Sequence, residues 1–305
     1  MLKNMEGKSV VIIGATGGLG AAFSRAFAEK GARLMLAGRN EDKLNNVKTG
    51  LNGDVKVAVS NLTDSRSLEE LSEKIMAWSP EVDLIINASG FDVRKSLEDH
   101  SYDEIEKLIE INLLGTILIT KTLLRNLKDE KGSTIIHIGG FGDGRLAFPY
   151  YSVDVATRAG VFSFIESVNR ELEMEGRNIR VTYFSPSPTE TEAERPFHNL
   201  WRKMGIRIVP VERVAEELIR TYEKKANLRI KEGNHKNICQ VKFGNAQVGG
   251  FDRHEKIWKH DQGISVRQPL IANWRDGTTS SSICWKASTD RMTEPQAAGW
   301  LLSAN

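Results

Sequence analysis

The chain has 305 residues and carries 42 basic against 40 acidic side chains, a net charge of +2. No Lys/Arg-rich run stands out, so nothing in the charge points to nucleic acid or a membrane surface, and the expected partners are small molecules. The longest apolar runs, such as "SVVIIGA" and "LIINASG", fall well short of a membrane span, and "MLKNMEGK" runs into a strand with no secretory cleavage signal; the reading is a soluble cytoplasmic protein.

Taken in chain order, short β-branched runs alternate with amphipathic segments. "SVVIIG" (9–14) reads as a first strand, and Gly14, Gly18 and Gly20 separate it from a helix with Phe23 and Phe27 at i, i+4. Glycines in that context let the backbone turn sharply and approach a pyrophosphate at the positive end of the helix. "RLMLAG" (33–38) is a second strand. A carboxylate at its end would bind a ribose 2′-hydroxyl and repel a 2′-phosphate; here Gly38 is followed by Arg39, with Thr16 able to add a hydroxyl, so NADP fits better than NAD. "VKVAVS" (55–60), "VDLIINAS" (82–89), "STIIHIG" (133–139) and "IRVTYFSP" (179–186) complete six strands, and "SYDE" (101–104) is a capping box opening a helix. Near-continuous apolar strands separated by helices imply an α/β fold, a Rossmann-like doubly wound parallel sheet with helices on both faces.

Further on, Phe197, Leu200, Trp201 and Met204 recur at helical spacing and give an apolar face that could cover an apolar substrate. "VPVERVAEELIRTYEKK" reads as a Pro-initiated helix. The composition then changes. Residues 229–305 hold four of the six tryptophans and both cysteines, Cys239 and Cys284, yet only three leucines. Such a segment has trouble burying enough apolar surface to offset its ordering entropy. The expected division is an NAD(P)-binding domain over 1–228 and an atypical, poorly ordered extension over 229–305. With no CxxC and no histidine at ligand spacing, neither a disulfide framework nor a metal site is expected, and His137 and His198 read as structural.

At this point the sequence resembles the short-chain dehydrogenase/reductase family over residues 7 to about 226. "GATGGLG" is similar to the family's glycine motif and includes Leu19. "NASG" resembles its Asn-Asn-Ala-Gly element, with Asn87 and Gly90 matching and Ala88 and Ser89 differing. "NLTD" resembles the third-strand loop beside the adenine, with Asn61 in place of the usual Asp and Leu62 next to it. "PSPTET" resembles the Pro-Gly-x-x-x-Thr element: Pro186 and Thr191 match, Ser187 replaces Gly, and Thr191 would contact the nicotinamide end. The resemblance also makes a homo-oligomer the expected assembly.

The family's catalysis uses Asn, Ser, Tyr and Lys. "IEINLLGT" supplies Asn112, in the middle of a helix. Gly140 or Phe141 stands where the Ser would be. For the Tyr-x-x-x-Lys pair two registers are open: the following helix places Asp154 on the Tyr and Arg158 on the Lys, whereas the nearest tyrosine gives Tyr151 with Val155. An aspartate, pKa near 3.9, starts as a base, and Arg158 one turn away is expected to lower its pKa further. Asp154 therefore suits removal of a substrate proton during oxidation, with Tyr150 or Tyr151 as a displaced acid otherwise. Two functions stay open: an NADP-dependent oxidoreductase acting on an alcohol or carbonyl, and a catalytically impaired NADP(H) sensor or partner subunit.

Overall fold

A computed structural model of the chain describes residues 5–130, 132–140, 149–203 and 206–224. The expected extension and both cysteines lie outside the described residues. The six apolar runs form six strands, β1 (Ser9–Ile13), β2 (Arg33–Gly38), β3 (Val55–Val59), β4 (Leu84–Asn87), β5 (Ser133–Ile138) and β6 (Ile179–Phe184). They pair in parallel in the order β3-β2-β1-β4-β5-β6.

All five residues of β1 are buried, which requires cover on both faces of the sheet. Val10 and Ile12 point with Leu34, Leu36 and Ile86 toward α1 (Gly18–Glu29) and α8 (Val211–Lys224), meeting Phe23, Phe27, Val214 and Leu218. Val11 and Ile13 point the other way, with Met35, Ile85 and Ile135. There they meet α3 (Ser65–Trp78), α5 (Gly115–Leu123) and α6 (Ser152–Met174) through Leu68, Ile119 and Ile165. Each large side chain so buried contributes about 1.5–3 kcal/mol, and a one-residue slip of any strand would exchange the two layers.

The strand order places β1 between β2 and β4, so the chain reverses direction across the sheet at β1. A crevice opens there at the carboxyl ends of the strands. The helices around it differ at their starts. Asn40 caps α2 (Glu41–Thr49), Asp64 caps α3, and Ser101 with Glu104 forms a complete capping box on α4 (Tyr102–Leu108). By contrast, α1 is preceded by Gly17 at its N-cap, with no side-chain cap and no acidic residue in its first turn. Its first N–H groups are left for another acceptor.

Below the crevice, His137 of β5 is 1% exposed. Asn87 Oδ1 accepts from Ser89 N–H at 3.1 Å, so Asn87 Nδ2 is the donor toward His137 Nδ1 at 3.2 Å. The ring proton therefore sits on Nε2 and is donated to Thr120 Oγ1 at 2.9 Å, while the Thr120 hydroxyl donates to Thr116 O. Burial pushes the His137 pKa down to about 3. The unfolded chain thus binds a proton near pH 6.5 that the folded chain refuses, and stability falls as pH drops below about 6.5. At pH 5 this one group removes about 2 kcal/mol. In denaturant unfolding at a series of pH values, His137→Asn should flatten the decline between pH 6.5 and 5 by that amount; an unchanged slope would show that His137 is protonated in the fold.

Candidate active site

The crevice is shaped by close approach. Gly14 has φ +77°, and a Cβ on it would lie 2.8 Å from the Ala88 carbonyl carbon and the Ser89 nitrogen. A Cβ on Gly20 would lie 2.1 Å from Gly14 O. Glycine is required at both positions for the turn to close against the loop after β4. Thr16 is exposed beside the turn, and its Oγ1 lies 3.9 Å from where a Cβ on Gly38 would sit, so Thr16 and the exposed Arg39 flank the end of β2. At the end of β3, Asn61 Oδ1 accepts from Thr63 Oγ1 at 3.2 Å, and Leu62 packs onto Gly115. The Asn87 side chain is buried and engaged with Ser89 and His137; it shapes the Ala88-Ser89-Gly90 loop rather than facing the crevice. Leu19, Pro186, Ser187 and Thr191 line one side of a cavity of about 140 Å³.

Asp154 and Arg158 line the same cavity. Asp154 stands in the first turn of α6, is 2% exposed, and accepts from Arg158 Nε at 2.6 Å. Its other oxygen accepts from Asn112 Nδ2 at 3.2 Å. Asn112 belongs to a π-helical segment, Ile109–Leu114, between α4 and α5, the kind of irregular turn that re-aims side chains at functional sites. Asn112 also grips the loop after β4: its Oδ1 accepts from Phe91 N–H at 2.9 Å and its Nδ2 donates to Phe91 O at 2.8 Å. Burial pushes the Asp154 carboxyl above the ordinary carboxylate range, and the Arg158 guanidinium draws it only part of the way back. The sequence expectation of a lowered pKa is thereby reversed, because desolvation outweighs the guanidinium. Arg158 is held protonated by its partners against its own burial.

The space opposite Asp154 explains the missing serine. A Cβ on Gly139 would fall 2.0 Å from Tyr183 Oη, and one on Gly140 would fall 3.2 Å from the Arg158 guanidinium. Tyr183, buried on β6, brings its hydroxyl to 3.4 Å from Arg158 Nη1. The two glycines therefore make room for a phenol and a guanidinium that enter from neighbouring elements.

Tyr151 lies at the start of α6, is buried, and lines the cavity one turn before Asp154; burial raises its pKa. Tyr150 has φ +67° and is 46% exposed, outside the cavity lining. The apolar face expected of the segment beyond β6 is turned onto the protein's own side chains. Phe197 lies 3.7 Å from the Arg94 guanidinium, and Trp201 packs against Tyr151 at 6.4 Å between ring centroids. Leu200 is 38% exposed, and Met204 lies outside the described residues. The cavity wall there is polar instead, formed by Asp92, Arg94 and Glu194 with Trp201. Nothing in the sequence pattern marks Arg94, Glu194 or Tyr183, because single residues on separate loops and strands carry no periodicity. Among the described residues, no group of three or more His, Cys, Asp or Glu side chains could hold a metal ion, and no helix is long and apolar enough to cross a membrane.

A doubly wound parallel sheet with an uncapped first helix and a glycine turn at its switch point is the architecture of a dinucleotide-binding fold. The short chain dehydrogenase family model matches residues 8–199, and the chain belongs to that family. An uncharacterized oxidoreductase of Staphylococcus aureus strain MRSA252 is 29% identical over 197 residues, covering 64% of this chain and 84% of the relative. Another, from Staphylococcus epidermidis, is 25% identical over 193 residues, covering 62% and 81%. Among solved structures, an alcohol dehydrogenase from the archaeon Thermococcus sibiricus, complexed with 5-hydroxy-NADP, superposes with TM-score 0.64 at 22% identity. It covers 77% of this chain and 95% of its own. A short-chain dehydrogenase/reductase from Serratia marcescens gives TM-score 0.65 at 21% identity, covering 72% and 91%. These two share the fold.

The niche opposite Asp154 makes a packing prediction. Gly139→Ala should destabilise the protein by about 1–3 kcal/mol, since the methyl group would overlap the Tyr183 ring. Combined with Tyr183→Val it should cost less than the two single changes together, and denaturant melts of the four proteins give the coupling. Strict additivity would show that Tyr183 does not occupy the niche.

Proposed function

We propose that this chain is an NADP-dependent oxidoreductase that interconverts a small alcohol and its carbonyl, acting best in the direction of alcohol oxidation. The observation that carries this reading is the Asp154 carboxylate, buried at the cavity and bonded by Arg158 and Asn112. Gly14, Gly18, Leu19 and Gly20 would cradle the pyrophosphate at the α1 N-terminus, and Arg39 with Thr16 would bind the 2′-phosphate. Asn61 and Leu62 would flank the adenine, Ala88, Ser89 and Gly90 would border the ribose beside the nicotinamide, and Pro186, Ser187 and Thr191 would border the nicotinamide itself. NADP, when bound, accepts the hydride released from the alcohol carbon.

The chain's own residues handle the proton. As the C–H bond is given up as hydride, the alcohol O–H bond breaks and its proton passes to Asp154, leaving a carbonyl. A carboxylate whose pKa is raised by burial holds that proton better than an ordinary aspartate, which lowers the cost of the transfer. Arg158 keeps the carboxylate ionised between turnovers, and Asn112 fixes its orientation. In the reverse direction Asp154 would have to begin protonated, against the guanidinium beside it. Tyr151, with a raised pKa, is poorly suited to act as the base. This reading places the machinery within residues 1–228, with 229–305 as an extension.

NADP-dependent oxidation of a panel of small alcohols should rise with pH along a limb set by the Asp154 carboxyl, lying above the ordinary carboxylate pKa. Asp154→Asn should remove at least a hundredfold of kcat/KM while leaving NADPH affinity within a few-fold. Arg39→Asp should erase the preference for NADP over NAD in fluorescence titrations. Tight NADP binding with no turnover in either direction would instead favour the sensor reading, and equal NAD and NADP affinities in the unmodified protein would overturn the cofactor assignment. A chain ending at Ala226 should keep its thermal midpoint within a few degrees and its NADPH affinity; collapse of both would show that residues beyond it complete the fold.

A further inference from the structure

Beyond β6, residues 186–203 form an arch along the cavity, and the described residues of this stretch and of 206–210 are fixed at two places. At its base, Val209 N–H donates to Pro188 O and Glu190 N–H donates to Val209 O, both at 2.9 Å, closing a short parallel bridge between Thr189 and Val209. Its far side is held by charge. Arg94 donates Nη1 to Glu194 Oε1 at 2.9 Å and Nη2 to Oε2 at 2.8 Å, a bidentate pair in which the Arg94 side chain is only 8% exposed. Trp201 Nε1 also donates to Glu194, and Phe197 stacks on the guanidinium. Arg94 is in turn anchored by Asp92 at 2.8 Å, on the loop that Asn112 grips through Phe91. The arch is thus fastened to the body of the domain by a charge-assisted, largely desolvated fork, the strong form of such a contact.

A second set of observations concerns what lies beneath the arch. Thr191 Cγ2 sits 2.8 Å from where a Cβ on Gly18 would be, so the arch rests on the first residue of α1, at the mouth of the crevice. The cavity beneath it measures about 140 Å³. A cavity of roughly that size is filled by a single benzene molecule. With the arch in this position the space beneath it is narrow for a nicotinamide ring and a substrate together.

We propose that the Arg94–Glu194 pair is a latch: the dinucleotide enters only while residues 190–203 are lifted, and the ion pair sets how often they lift. This rests on the assignment of NADP(H) to the crevice. When the binding-competent form is a minor fraction, the apparent dissociation constant is the intrinsic one divided by that fraction, so weakening the latch tightens and speeds binding without adding a contact. Glu194→Gln keeps the size of the side chain and an acceptor for Trp201 while removing the charge. Arg94→Met keeps an apolar stem on Phe197.

The test is stopped-flow binding of NADPH to the full-length chain, followed by nucleotide fluorescence with no substrate present. In the unmodified protein the observed rate should level off with rising NADPH at the opening rate. Both variants should raise that plateau, and tighten NADPH binding, by about tenfold. The latch is overturned if the rate rises linearly with NADPH in the unmodified protein with the same slope in both variants, or if both variants bind more slowly. Should one variant fail to fold, the plateau in the unmodified protein and the response of the other variant decide the matter. If neither the unmodified protein nor the variants bind NADPH, the cofactor assignment fails and the latch with it. Binding by the variants alone would support both.

Discussion

The site is organised around one buried ion pair, Asp154 with Arg158, four residues apart on α6 and joined at 2.6 Å. Removing one partner of such a pair leaves an uncompensated charge in the interior at a cost of about 3–5 kcal/mol, so neither residue can change alone without consequence. The neighbouring positions follow from this. Gly140 leaves the guanidinium room, Gly139 admits the Tyr183 hydroxyl that touches it, and Asn112 supplies the second bond to the carboxylate. Read separately, an Asp in place of Tyr, an Arg in place of Lys and a Gly in place of Ser look like three losses. Their mutual fit describes a site whose parts are adapted to one another.

The pair also links the two halves of the site. Asn112 holds Asp154 with one hydrogen and the Phe91 backbone with the rest of its amide, and the loop that begins at Phe91 carries Asp92 and Arg94. Arg94 then reaches across to Glu194. Through Asn112, the Phe91 backbone, Arg94 and Glu194 the carboxylate is connected to the segment covering the cavity, and the hydrogen bonds of this path are partly buried, where charge-assisted bonds are strong. On the opposite side, Asn87, His137, Thr120 and Thr116 form a neutral hydrogen-bonded chain from the loop beside the glycine turn to the backbone of Asn112. One network is charged and faces the cavity, and the other is uncharged and lies under the sheet ends.

The fold was legible because it depends on periodic features. Short β-branched runs such as "SVVII", bounded by turn residues, read as strands buried on both faces, and the glycine turn between β1 and α1 places the crevice before any side chain is considered. Asp154 and Arg158 could be proposed because α6 carries a recognisable helical phase, and Asn112 because "IEINLLGT" resembles the family's helix. The direction of the Asp154 pKa could not, since it depends on how much water the final packing excludes, and sequence spacing reports only the guanidinium. The apolar stripe through Phe197 and Trp201 was visible, but its target was not: it covers Arg94, whose place on an irregular loop is fixed by Phe91 and Asn112. Tyr183 reads as an ordinary strand residue until the empty space at Gly139 is seen.

The account depends most on Asp154 being a carboxylate displaced upward by burial yet ionised at neutral pH by its partners. Carbon-13 NMR of aspartate-labelled protein, with the Asp154 signal assigned by its loss in Asp154→Asn, measures this ionisation without substrate or turnover. We expect a single titration above the ordinary aspartate range, complete by neutral pH and accompanied by shifts of the Asn112 side-chain amide. A carboxyl that stays ionised to below the ordinary aspartate pKa would mean that the guanidinium outweighs burial, and one still protonated at neutral pH would leave the site without its base; either result would contradict the account.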